Sequence, residues 1–259
     1  MKSKIWVVAV MGLVATALSA TLANAQCNPA PNYPGVMIKF DADAFAYETA
    51  YTPATFTSAV GSQLTVVGIV SVFCDPFSDL NPLDPNTEYT FVWDGLVSQG
   101  TVAQPIGSST RYTTKYLGGG FRIYAGTPRN APTAVTLPAL PAPGVVPGAF
   151  VDGTMILSGV MTDSLNVIFT RSGTGTFTSS FRANYRCTGG TLYYRVGDAI
   201  NLISGLWSPV PATNPNPPSP VGTTLLPAGW SAHPNGKWDT PITVPAVPST
   251  WGKIKTLYR

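Results

Sequence analysis

TRYTTKYLGGGFRIYAG, residues 110–126, is the stretch whose reading decides the fold class. Thr, Tyr, Phe and Ile run through it, and β-branched and aromatic side chains suit the pleated, half-buried surface of a sheet. No apolar residue recurs with a helical period, so the spacing predicts strands. Three glycines interrupt the run, and glycine reaches the positive φ of a tight turn without steric cost. The stretch therefore predicts a hairpin of two strands, Thr110 to Leu117 and Phe121 to Ala125, turning at Gly118 to Gly120.

A second stretch repeats this grammar. GGTLYYRVG, residues 189–197, follows the aromatic- and arginine-bearing run Thr176 to Cys187 and predicts a hairpin into a strand from Thr191 to Val196. Further outward, runs rich in Val, Ile, Thr and Phe, bounded by Gly, Pro, Asn or Ser, predict strands at Val36 to Asp41, Gln63 to Phe73, Glu88 to Leu96, Thr154 to Met161 and Leu165 to Thr170. Asp198 to Ser204 predicts a short helix, with Asp198 as its cap and Ile200 and Ile203 on one face. Many short strands with regular turn punctuation indicate an all-β fold of the antiparallel sandwich or barrel kind. The expectation is an antiparallel β-sandwich, jelly-roll-like or Ig-like, with a proline-rich C-terminal extension.

Proline divides the chain. Residues 127–148, TPRNAPTAVTLPALPAPGVVPG, hold six prolines, which exclude a central strand and favour an extended loop. Residues 207–248 hold eleven more, together with Trp207, Trp230 and Trp238. The expected organisation is a signal peptide over 1–25, a β-sandwich domain over 26–206, and a proline-rich extension with a short tail over 207–259.

Lys2 and Lys4, an apolar run from Ile5 to about Leu22, and Ala23-Asn24-Ala25 make the pattern of a secretory signal peptide with a small-x-small cleavage site. Bacterial-type export to the outside or to the cell surface is the localisation this implies, with no membrane contact after cleavage. Without the two lysines, thirteen basic residues face twelve acidic ones, which leaves no electrostatic drive toward nucleic acid or an anionic membrane. Eight of the acids lie at or before Asp94, and twelve of the bases at or after Arg111. Halves of opposite sign can pair within one fold or between subunits. Three cysteines in an oxidising compartment allow one internal disulfide. Cys74 and Cys187 each end a strand-like run, and that pair is the expected bridge.

Candidate chemistry concentrates in DPFSDLNPLDPNTE, residues 75–88. Asp79, Asn81, Asp84 and Asn86 carry the oxygen donors that calcium prefers, and calcium is the one candidate cofactor. The spacing is not that of an EF-hand, and Pro76, Pro82 and Pro85 restrict the curl, so a turn competes with the ion site. Asp41 and Asp43 alternate onto one strand face, where they would serve as acid and base of a glycoside-active enzyme; a solvated strand edge is the competing reading. His233 is the single histidine, which excludes a two-histidine metal site built by one chain, and it is expected at the surface or in a turn. No Gly-x-Ser-x-Gly elbow and no Cys-x-x-Cys pair occurs. Tyr112, Tyr116, Tyr124, Tyr193, Tyr194 and the three tryptophans offer flat faces for stacking sugars, or else pair across strands.

The ending PSTWGKIKTLYR, residues 248–259, sets Trp251, Ile254 and Leu257 three apart, on one face of a helical turn. It resembles the short terminal sorting tails of some secreted bacterial proteins, which implies recognition during export, anchoring or assembly. Together these features describe a secreted, non-enzymatic extracellular or cell-surface structural or interaction protein. The alternative is a carbohydrate-binding module, calcium-assisted, and the third reading a glycoside-active enzyme. The expected partners are a second copy of the chain or a cell-surface glycan.

Overall fold

In the computed structural model the glycines of residues 118–120 do not turn the chain: the whole stretch belongs to one long strand. The structure describes Cys27, 35–140, 146–175, 177–209, 226–227 and 229–239. Among these residues the strands are β1 (Val36–Glu48), β2 (Tyr51–Thr52), β3 (Thr57–Ser58), β4 (Val60–Phe73), β5 (Glu88–Ile106), β6 (Ser109–Gly126), β7 (Thr154–Met161), β8 (Leu165–Arg171), β9 (Phe177–Gly189), β10 (Ile200–Pro209) and β11 (Ala232–Asp239). The reversal between β5 and β6 comes at Gly107-Ser108, where Ile106 pairs with Ser109. Gly119, at φ +74°, instead lies opposite Gly95, at φ +71°, and a Cβ on it would come 2.6 Å from the Asp94 carbonyl oxygen. Positive φ serves a kink shared by two paired strands as readily as a turn, so the glycines alone could not distinguish the two.

Two further local expectations give way to tertiary pairing. Residues 193–195 form a single turn of 3-10 helix where a strand from Thr191 was expected. The expected helix from Asp198 is replaced by β10, which pairs with β9 on one side and β11 on the other. A seven-residue helix has little stability of its own, and two complete ladders override it.

The antiparallel all-β sandwich is present, and its facing walls are joined along both edges. Each strand pairs with its neighbours in the chain: β1 with β4, β4 with β5, β5 with β6, β9 with β10, β10 with β11, and β11 back to β1. β7 and β8 lie end to end between β6 and β9, so nine strands occupy eight positions of a closed up-and-down barrel. Short connections favour this meander over the crossovers of a jelly roll or an immunoglobulin fold. β2 and β3 form a separate small hairpin.

The interior is filled with rings. Phe40 of β1 meets Phe91 of β5 at 4.8 Å and Trp238 of β11 at 4.9 Å between centroids, and Trp93 meets Phe181 across the barrel at 5.6 Å. Small residues make the room: a Cβ on Gly68 would lie 2.7 Å from the Phe91 ring, and one on Gly236 would lie 2.7 Å from Phe181. A barrel of eight strands has an interior just wide enough for side chains to fill.

The outer surface differs from wall to wall. On β9, exposed Thr178, Ser180, Arg182 and Arg186 alternate with buried Phe181, Ala183, Tyr185 and Cys187, the signature of one wet and one dry face. On β4 and β5, five and six consecutive residues are buried, Leu64–Gly68 and Glu88–Trp93. Their outer side chains, Val67 and Val92, form a second cluster with Phe45, Tyr47, Leu137, Phe150, Leu226 and Trp230. The proline-rich stretch after β6 is thus a strap that clothes one wall.

Three expectations are corrected here. The disulfide joins Cys27 to Cys74, with Cα atoms 5.4 Å apart, and Cys187 is a buried free thiol. β4 and β9 stand on opposite sides of the barrel, four positions apart either way round, and Cys187 points inward, so Cys74 meets Cys27 beside the start of β1 instead. The sandwich does not end at 206: Trp207–Pro209 continue β10, and β11 closes the barrel. His233 is buried at 6 % exposure with its ring edge-on to Phe45. The expected interaction residues Trp251, Ile254 and Leu257, and the signal segment 1–25, lie outside the described residues.

The ring-filled interior predicts intolerance of even one methyl group. Gly68→Ala would drive a Cβ into Phe91 and to 2.8 Å from the Ala44 Cβ, and should cost about 1–3 kcal/mol, read as a lower urea midpoint at unchanged slope.

Candidate functional site

The acidic residues are the natural starting point, because the sequence crowds eight of them before residue 95. Two of them, Glu88 and Asp43, serve the strap. Glu88, buried at the start of β5, accepts hydrogen bonds from the Asn130 N–H at 3.1 Å and the Ala131 N–H at 3.0 Å. Asp43 accepts from the Ala134 N–H at 2.6 Å. The Thr90 hydroxyl donates to the Phe150 carbonyl at 3.0 Å, and the Trp230 indole N–H to the Pro138 carbonyl at 2.9 Å. A proline-rich segment has few N–H groups to offer, and carboxylates from β1 and β5 take up three of them, those of Asn130, Ala131 and Ala134. Hydrogen bonds to ionised acceptors are about twice as strong as neutral ones, which suits them as latches.

The loop at 75–88 is a run of turns. The Asn81 side-chain oxygen accepts from the Leu83 N–H at 3.0 Å and that of Asp84 from the Asn86 N–H at 2.9 Å, two Asx turns that follow the Asn-Pro and Asp-Pro steps. Arg195 grips Asp79 through both guanidinium nitrogens and also donates to the Pro76 carbonyl. That guanidinium holds the Asp79 carboxyl below its usual range. Among the described residues no three His, Cys, Asp or Glu side chains come together in a way that could hold a metal ion. Of the proposed calcium ligands, Asp79 has a cationic partner, Asn81 and Asp84 cap turns, and Asn86 contributes its backbone N–H to one of those turns.

Glu48 ends β1 beneath the β2–β3 hairpin, where the Ser58 hydroxyl donates to it and Tyr116 and Ser62 also hydrogen-bond it. Burial raises the Glu48 pKa, outweighing those hydrogen bonds. Burial, followed by the field of Glu48, also raises the phenol of Tyr51. The carboxylate therefore sits under the small hairpin in an environment that favours its protonated form.

An open groove of about 350 Å³ runs over β10, β11, β1 and β4. Direct register pairs Ser204 with Lys237, Lys237 with Lys39, and Lys39 with Val72, so one row of side chains crosses four strands. The neighbouring row, Gly205, Gly236 and Phe40, faces the barrel interior, so only its backbone lines the groove, flanked by Asn235 and Asp41. Asp41 stands there because β1 bulges: Phe40 pairs with Val70 and Ala44 with Gly68, so three residues of β1 face one of β4. Bulges re-aim side chains next to functional sites. This one separates the two aspartates expected on a common face, sending Asp43 to the strap and leaving Asp41 exposed at the groove. Lys237 pairs with the buried Asp239 at 3.2 Å, whereas Lys39 and Asp41 form no ion pair among the described residues.

Lys39, Lys237 and Asn235 carried no signal in the sequence. They lie nearly 200 residues apart, without local motif, and only the closing ladder of β11 on β1 brings them together. Of the two readings of the aromatic residues, packing within the fold is the one observed: Trp207, Trp230 and Trp238 are buried, and among the described tyrosines only Tyr194 is exposed. Comparison with known protein families, curated proteins and solved structures finds no match.

Two outcomes follow. Glu88→Ala strands the Asn130 and Ala131 N–H groups and should cost about 2–4 kcal/mol, with faster hydrogen exchange and proteolysis confined first to residues 127–151. For Glu48 the folded pKa lies above the unfolded value, so its contribution to stability is present at low pH and lost as pH rises through the raised value. Glu48→Gln should then gain stability relative to the parent near pH 7 and not near pH 4, measured as denaturant midpoints at both.

Proposed function

We propose that the protein acts outside the cytoplasm as a non-enzymatic structural or interaction protein, a rigid barrel that presents its outer wall to a partner. One observation carries this reading: Asp43 and Glu88 are engaged as strap latches, Asp84 as a turn cap and Asp79 in an ion pair, Asp41 is left at the outer groove, and rings occupy the barrel interior. Polar groups able to meet a ligand are left on the outer wall. The Cys27–Cys74 bridge supports an oxidising compartment. No helix among the described residues is long and apolar enough to cross a membrane.

Carbohydrate binding is the second reading, supported by the polar groove over β10, β11, β1 and β4. Contact would come through hydrogen bonds rather than ring stacking, since the described tryptophans are buried.

The test is to express the full chain in its native host and separate cytoplasm, envelope and medium. The expected result is protein in the envelope or medium, with Cys27 and Cys74 protected from alkylation until reduced, and no release of reducing ends from added glycans. Retention in the cytoplasm with both thiols free, or turnover of a glycan, would reject the proposal.

A further inference from the structure

Like charges directly opposite on adjacent strands destabilise a sheet. Lys39 and Lys237 stand in that relation, at half-exposed positions of the groove, and Asp239 compensates only one of them at hydrogen-bond distance. The other ammonium is left for a partner. About two residues along β1, the bulge lifts Asp41 to the same groove with its carboxylate uncommitted. The site therefore has a cationic end and an acceptor end, with the hydroxyl of Ser204 beside Lys237 and the amide of Asn235 level with Asp41, each able to donate and accept.

We propose that this groove binds an acidic sugar residue of an extended glycan, its carboxylate against the Lys39 and Lys237 ammonium groups and its hydroxyls donating to Asp41 and Asn235. The inference rests on the reading of the protein as an extracellular interaction protein and names the ligand class of its outer wall. A monoanion rich in hydroxyls matches both ends at once, whereas a phosphate dianion would meet the Asp41 carboxylate. Because Gly205, Gly236 and Phe40 face inward, only backbone separates the Lys39 row from Asn235 and Asp41, and the groove lies open on the outer wall. Its volume of about 350 Å³ lies at the small end of ligand sites. Asp239, buried two residues further along β11, fixes the Lys237 ammonium before the ligand arrives.

The experiment is calorimetric titration of the full chain, at low and at physiological salt, with tetragalacturonate, with its carboxyl-reduced counterpart and with inorganic phosphate. The acidic oligomer should bind, more weakly as salt rises. The reduced oligomer should bind at least about tenfold more weakly, and Lys39→Met should weaken the acidic oligomer about tenfold at a melting temperature no lower than the parent's, since it relieves the like-charge pair. Ser204→Tyr, which fills the groove without altering charge, should abolish binding. No binding of the acidic oligomer, equal binding of the reduced one, phosphate binding as tight as the oligomer, or a Lys39→Met variant that binds undiminished would each overturn the assignment. Failure to bind leaves the extracellular reading intact. Binding accompanied by new reducing ends would confirm the groove and reject the non-enzymatic reading.

Discussion

Closure of the barrel depends on one cluster of aromatic rings. Phe40, Phe91, Trp93, Phe121, Phe181, Trp207 and Trp238 come from six different strands and meet in a single core. Most of their contacts are edge-to-face, an arrangement that adds about 0.5–1.5 kcal/mol per pair beyond the area buried. Trp93 and Trp238 cross at 87° with centroids 5.8 Å apart, so the edge of one indole meets the face of the other. Rings of this size fix the spacing between opposite walls. They also dictate where glycine must stand, since Gly68 and Gly236 face rings that a methyl group would displace.

The strap is a consequence of that filling. With the interior occupied by rings, the outer faces of β1, β4 and β5 are still apolar, carrying Phe45, Val67 and Val92, and need a cover. A proline-rich segment provides one at low conformational cost, because its backbone is already extended. The uneven distribution of charge along the chain is used within the fold. Asp94 pairs with Arg122 and Asp79 with Arg195, each joining the acidic first part to the basic second part.

The groove arises from the same closure. β1 is flanked by β4, which follows it in the chain, and by β11, which follows nearly 200 residues later, and only the second pairing sets Lys39 against Lys237. The β1 bulge then gives two neighbouring aspartates different tasks. Asp43 stabilises the strap, and Asp41 is available to solvent.

How much of this was legible beforehand follows the range of the interactions. The strands at Gln63 to Phe73, Thr154 to Met161 and Leu165 to Thr170 match β4, β7 and β8 closely, because β-branched runs between turn residues are a local signal. The turns of residues 75–88 were legible for the same reason: Asn-Pro and Asp-Pro act through the next few residues. Asp43 and Glu88 as latches were not, since a carboxylate shows its type in the sequence but not which N–H will reach it from the strap. Nor did the sequence distinguish a glycine kink from a glycine turn at 118–120, or Cys27 from Cys187 as the partner of Cys74. By itself the sequence determined the all-β class and the strand grammar, which depend on side-chain shape and backbone preference over a few residues. Only the tertiary structure decided the closed edges, the strap, the disulfide and the groove. Each of these pairs groups from distant parts of the chain, and their meeting depends on how ring volume spaces the walls and on which strand β11 joins.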